Sequence, residues 1–328
     1  MSPDVSEQNA PPYQTLHFHC TAEGIPLLVL YLKTILLSIF TLGIYSFWGR
    51  TEIRRYLYNE VLAGDDRFEW HGTPLELLIG WLKAIAILIV FYVGFFLATL
   101  SGSEWVKIGA VLLLYLGIFA LMPFILVGST RYRLSRTSLR GIRFSSSARV
   151  GEFAKLYFKG LFFTLLTLGF YSPWFANNIV GYLTKNTRYG DQSFNYDGEG
   201  KTLFGPYVAM LFLLLPTLYL ISFWYLARQQ RHFYCHTTFG AARFDCTIRG
   251  RQLLWMMFSN ALLVIFTLGI GYPWAVIRNL RLQCETVRLY GNVDLTSVNQ
   301  LLTGPTATGE ALGQVLEVEG DIGGAFGL

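Results

Sequence analysis

Thr41-Leu-Gly-Ile-Tyr-Ser-Phe-Trp48 is the stretch on which the fold turns, because it recurs as Thr167-Leu-Gly-Phe-Tyr-Ser-Pro-Trp174 and as Thr267-Leu-Gly-Ile-Gly-Tyr-Pro-Trp274. The flanks keep register with it. Phe18, Phe144 and Phe244 each stand 23 residues before the repeated Thr, and Tyr31-Leu-Lys33 corresponds to Tyr157-Phe-Lys159. The third copy has Met257-Phe-Ser259 there. Downstream, Gly64-Asp-Asp-Arg-Phe68 matches Gly190-Asp-Gln-Ser-Phe194, and the third copy decays to Tyr290-Gly-Asn-Val-Asp294.

These anchors define three repeats, at about 13–75, 139–201 and 239–300. In each, a short strand leads through a glycine (Gly24, Gly151 or Gly250) into an apolar helix. Gly43, Gly169 and Gly269 end that helix, glycine being the residue that tolerates a left-handed C-terminal cap. Ser172 and Pro173 read as N-cap and first residue of the next helix, and Pro273 holds the same place in the third copy. Trp48, Trp174 and Trp274 then anchor each junction at a membrane interface. The helix that follows is amphipathic, with Arg50, Glu52, Arg54 and Arg55 interleaved with Ile53, Tyr56, Leu57 and Val61, which suits a place along the membrane surface.

Composition says what surrounds this pattern. Of 328 residues, 53% are hydrophobic, 16% aromatic and 14% charged, with mean hydropathy +0.41. A soluble domain is about 25% charged, so a soluble enzyme of this size would lack the charges to cover its surface. The net charge of +5 is no nucleic-acid footprint, and the four cysteines form no Cys-x-x-Cys. Six apolar stretches are read as spans of about 20 residues: 25–48, 77–100, 108–128, 153–174, 202–227 and 252–277. Pro123 and Pro216 lie inside two of them and predict kinks. The expected fold is an all-α polytopic membrane protein of about six transmembrane helices with three internal repeats, interfacial amphipathic helices and short extramembrane strands. Residues 13–302 form its membrane domain, flanked by disordered tails at 1–12 and 303–328.

Basic residues concentrate in the first, third and fifth loops of this scheme, which places both ends of the chain outside. Yet six simple spans make the first copy antiparallel to the others. Either the repeats are inverted, or a repeat helix is re-entrant and brings all strands to one face.

Tyr157-Phe-Lys159, the Thr-Leu-Gly-Ile-Tyr-Ser-Pro-Trp pattern, Asn186-Thr-Arg188 and Arg67-Phe-Glu-Trp-His-Gly-Thr-Pro74 together resemble the YjgN family, a domain of unknown function (DUF898). The resemblance runs over about 13–302, with Phe47 in place of the usual Pro. It implies a multi-pass protein of the bacterial inner membrane and no established activity.

For chemistry, the pattern offers contacts rather than catalysis. Lys33 and Lys159 sit at equivalent depth in apolar helices, where a charge is costly and marks a lipid or anion contact; the plainer alternative is a stem that lifts its ammonium to the interface. Arg50, Arg54 and Arg55 suit lipid phosphates or serve as ordinary interfacial charge. His17, His19 and Cys20, and His232, Cys235 and His236, match no metal-ligand spacing. Asp65, Asp66 and Glu69 lie in a Gly-Asp turn, which explains them without acid–base work. No nucleophile elbow, P-loop or dinucleotide loop is present. The expectation is therefore no enzyme, cofactor or metal and no nucleic acid. Membrane lipids are the partners, and a protein partner or second copy is left open. The role expected is transport or lipid handling, with a structural, envelope-organising protein as the alternative.

Overall fold

The computed structural model describes residues 15–100, 103–291 and 298. Its organising element is a closed barrel of ten short antiparallel strands, and between successive strands the chain alternates a tight turn with a helical hairpin. The result is five strand–helix–helix–strand units. The first is β1 (Thr15–Cys20), α1 (Gly24–Phe40), α2 (Ser46–Asn59) and β2 (Val61–Ala63). The second is β3 (Asp66–Trp70), α3 (Pro74–Thr99), α4 (Glu104–Ser135) and β4 (Thr137–Leu139). The third is β5 (Ile142–Ser146), α5 (Val150–Leu166), α6 (Ser172–Lys185) and β6 (Thr187–Tyr189). The fourth is β7 (Gln192–Tyr196), α7 (Lys201–Leu214), α8 (Ser222–Cys235) and β8 (Thr237–Phe239). The fifth is β9 (Ala242–Cys246), α9 (Gly250–Phe266), α10 (Tyr272–Thr286) and β10 (Val287–Tyr290), and β10 pairs with β1 to close the ring.

This corrects the all-α six-span reading and its three repeats. Among the described residues only α3 and α4, at 26 and 32 residues, are long and apolar enough to cross a membrane. The other apolar stretches break in the middle. The 25–48 stretch, for example, is split into α1 and α2 by a turn at 41–45. At 1.5 Å per residue α1 is about 25 Å long, short of the roughly 30 Å hydrocarbon core. A hydropathy window does not see the turn because its residues are as apolar as the helices beside it. Pro216 falls in such a turn, just after α7, rather than kinking a span; Pro123 lies inside α4 as expected. The two tails lie outside the described residues.

Side-chain alternation fills the barrel. Phe18, Phe68, Phe144, Phe194 and Phe244, one per unit, pair in register with Ala63, Leu139, Tyr189, Phe239 and Leu289. Residues two apart on a strand share a face, and here they converge on one apolar core, which Val298 joins. Aromatic rings stack through it, with Phe144–Tyr189 at 4.7 Å and Phe194–Phe239 at 4.8 Å between centroids. The opposite face carries Arg67, Arg143, Arg188, Arg243 and Arg288, one on each paired hairpin.

One backbone link recurs in every unit. Thr21, His71, Ser147, Asp197 and Thr247 each donate an N–H to the carbonyl of the residue that ends the unit's second helix: Glu60, Arg136, Asn186, His236 and Thr286, at 2.8 to 3.1 Å. It ties the root of each helical hairpin to the barrel rim. Because strands alternate in direction, all five helical hairpins leave one rim and all the tight turns lie at the other.

Candidate functional site

The elbows of the helical hairpins expose large apolar side chains. Leu42, Leu168, Leu218 and Leu268 are 95%, 89%, 81% and 93% exposed. All four adopt the left-handed conformation, with φ of 50, 50, 48 and 51°, which costs a non-glycine residue about 1–2 kcal/mol. The geometry is built the same way each time. Thr41 donates its hydroxyl to Leu37 O at 2.8 Å and accepts the N–H of Tyr45 at 2.9 Å. Thr167, Thr217 and Thr267 bridge their elbows likewise. The next residue sends its N–H back five positions, as Gly43 does to Ser38 O at 2.7 Å. Gly43, Gly169 and Gly269 take φ of 90, 95 and 92°, a conformation that favours glycine.

The fourth elbow was missed in the sequence. Thr217-Leu-Tyr-Leu-Ile-Ser-Phe-Trp224 follows Phe194 by the same 23 residues, but Tyr219 stands where the others have glycine and takes φ 66°. In the second unit residues 101 and 102 lie outside the described ones, and its helices extend to membrane length. Ser172 also acts differently from the expected N-cap. Its hydroxyl donates backward to Gly169 O at 2.7 Å, and α6 shows no side-chain cap bond. Pro173 and Pro273 are fully buried at the helix starts, and Trp48, Trp174 and Trp274 are half-buried beside them.

Around this collar the cations form a pattern. Lys33 reaches across its hairpin to Glu52 at 2.9 Å. In the fifth unit the partners are reversed: Ser259 holds the first-helix place, and Arg278 donates to it from the second helix at 3.0 Å. Arg228 occupies the same second-helix place in the fourth unit, six residues into its helix. Lys83 stands fifteen residues after Phe68, as Lys33 and Lys159 stand after Phe18 and Phe144. Each unit thus carries one exposed cation at this place: Lys33, Lys83, Lys159, Arg228 and Arg278. The sequence exposed only two of the five, because the others change residue or helix. Arg50 lies over the ring of Phe47 and Arg54 over that of Trp70, while Arg55 is exposed.

The histidine and carboxylate groups are dispersed in packing roles. His232 Nε2 lies 3.2 Å from Asn177 Oδ1 and its Nδ1 3.2 Å from Thr202 Oγ1, and Tyr196 donates to the same Asn177 oxygen at 2.6 Å. Burial, with His236 stacked beside it, lowers the His232 pKa to about 4. Burial also pushes the Tyr196 phenol well above its ordinary range. Cys235 donates to Asp245, and Cys246 is raised to about 11 by burial. Asp66 pairs with Arg140 at 3.5 Å, and Glu69 lies 3.5 Å from His71 and accepts from Ser138 at 3.3 Å. Among the described residues no group of three His, Cys, Asp or Glu could hold a metal.

A filled barrel bearing an apolar, cation-studded helical collar and one membrane-length hairpin defines a membrane-associated class of protein. The chain belongs to the DUF898 family of bacterial proteins of unknown function, whose model matches residues 15–221 and 205–315. It is 31% identical over 124 residues to the inner membrane protein YjgN of Salmonella typhimurium, covering 38% of this chain and 29% of that one. To YjgN of Escherichia coli K12 it is 30% identical over 155 residues, covering 47% and 36%. The alignments thus span only about a third of the length of these curated relatives. No solved structure matches the chain significantly.

Proposed function

We propose that the protein is a headgroup-binding structural module of the bacterial inner membrane, with its helical collar immersed and its barrel in water. One observation carries this reading: the exposed leucines at four elbows all extend from the same rim of a barrel whose inside is packed with phenylalanine. Apolar residues left in water at such density cost about 25 cal/mol per Å², and a patch of this extent marks a membrane or partner surface. The five collar cations stand where they could meet lipid phosphates. Flux through the barrel would require its aromatic core to open, which weighs against transport by that path. Charge supports an orientation. The barrel-side flank of α4 carries Arg131, Arg133, Arg136, Arg140 and Arg143, whereas Lys107 is the one basic residue of its first turn at the far end. The positive-inside rule then puts the barrel on the cytoplasmic side.

Spin labels at Leu42, Leu168, Leu218 and Leu268 in phosphatidylcholine–phosphatidylglycerol vesicles test the reading. Oxygen should relax them faster than an aqueous nickel chelate does, and labels at His17 and Arg188 should show the reverse. Elbow labels open to the chelate would overturn it.

A further inference from the structure

We propose that the cleft between α8 and α9 binds a phosphate group carried by an anionic phospholipid; the lipid as carrier rests on the immersed-collar reading. The cleft has a volume of about 540 Å³ and is lined by Trp224, Arg231, Arg249, Gly250, Arg251 and Gln252. Three of the six lining residues are arginines and none is a carboxylate. Neither Arg231 nor Arg251 has a hydrogen bond or ion pair among the described residues. All three are exposed, so their mutual repulsion in water is modest, and an anion seated among them would be attracted to each.

The other unit boundaries serve as internal controls. Each apposes one unit's second helix to the start of the next unit's first helix. Where Arg231 stands, the first, second and fifth units have Arg55, Arg131 and Arg281; the last two are committed, and Arg55 is exposed with only Thr73 and Leu75 at the places of Arg249 and Arg251. Arg131 donates to Ala148 O at 2.6 Å and Arg281 to Ala22 O at 3.3 Å. Where Arg249 stands, the third unit has Arg149, which is paired with Glu152 at 3.3 Å. The remaining counterparts of Arg249 are Glu23, Thr73 and Glu199, and those of Arg251 are Ile25, Leu75, Gly151 and Lys201. Only this boundary gathers three arginines. The first turn of α9 also lacks the acid that α3 and α5 carry there, Glu76 and Glu152.

Shape fits the same ligand. Gly250 packs so closely on Trp224 that a Cβ there would lie 2.7 Å from the Trp224 Cα, which brings the indole beside the start of α9, where Gln252 accepts the Arg249 N–H at 2.9 Å. Guanidinium groups bind phosphate oxygens in bidentate fashion. The half-exposed indole sits where an interfacial tryptophan meets glycerol and upper acyl carbons.

Native mass spectrometry of the detergent-purified full chain tests this, with phosphatidylglycerol, phosphatidylcholine and inorganic phosphate as probes. The expected result is one retained phosphatidylglycerol, no retained phosphatidylcholine, and displacement of the lipid by inorganic phosphate. The triple variant R231Q/R249Q/R251Q should lose affinity at least tenfold and R251Q alone several-fold, with R149Q unchanged. R251Q alters one exposed side chain, so its result stands even if the triple variant folds poorly. Equal retention by wild type and R251Q overturns the proposal, and phosphate binding without any lipid overturns the lipid as carrier. Spin labels at the elbows separate the two readings: in the cleft variants they should stay accessible to oxygen and shielded from the chelate, and elbows open to the chelate in the wild type would count against the collar instead.

Discussion

Leu168 shows how one residue can be set for function against its own backbone. Its φ of 50° is strained, its side chain is almost wholly exposed, and Gly169 after it is left-handed too. Replacing Leu168 with glycine should raise the thermal stability of the detergent-solubilised protein by up to about 1 kcal/mol, and weaken vesicle binding. Gly169→Ala should do the opposite to stability, lowering it by about 1 kcal/mol through backbone strain; paired melting curves in one detergent check both. At the barrel rim, His232 is held neutral, with its pKa lowered to about 4 by burial and His236. The unfolded chain takes up that proton near pH 6.5 and the folded chain only near pH 4. Stability is therefore flat above about pH 6.5 and is lost as pH falls from there toward about 4. His232→Gln should flatten that part of the pH–stability curve, measured by denaturant midpoints, at the cost of a lower plateau. These residues were unevenly legible. The elbow glycines stood out because a left-handed turn demands them, whereas Tyr219 fills the same conformation without the signature residue. His232 matched no metal-ligand spacing in the sequence, but its partners Asn177 and Thr202, distant along the chain, could not be named from it.

At the scale of elements, the helical hairpins divide into four short ones with elbows and one long one. The short pairs cannot cross about 30 Å of hydrocarbon in single passes, and α3 with α4 can. Aspartate at Leu42, Leu168 and Leu268 together should release most of the collar from the bilayer, since each buried charge costs several kcal/mol, while α3–α4 still holds the chain. Quenching of tryptophan emission by brominated phosphatidylcholine should fall to a residual level rather than to zero. Ser103, just before α4, should be labelled in intact spheroplasts as Ser103→Cys, while Arg188→Cys on the barrel should stay protected until the membrane is breached. Labelling in the reverse order would invert the orientation. The apolar stretches themselves were plain in the sequence, but where each one turned was not, because Thr-Leu-Gly breaks a helix without breaking the run of hydropathy.

At the scale of the whole molecule, the barrel makes five units interdependent. Each first strand places one phenylalanine in a shared interior, so removing one leaves a void that all neighbours line. Phe194→Ala should destabilise the protein by about 3 kcal/mol, since it deletes ring contacts with both Phe239 and Phe244. A single cooperative transition followed by both far-ultraviolet dichroism and tryptophan emission would fit that shared core, and two separated transitions would contradict it.

Composition, the recurring Thr-Leu-Gly elbow and the resemblance of its flanks determined on their own that this chain belongs with membrane proteins of one family and that its helices turn at glycine. Those are local properties, set by side-chain solvation and by the backbone freedom of single residues. Only the tertiary structure decided that the units number five, that their strands close into a barrel, and that cations from different helices come to equivalent places. Strand pairing is non-local: three-residue strands such as β2 and β6 carry too little pattern to be recognised until their partners supply the hydrogen bonds and the core that make them strands.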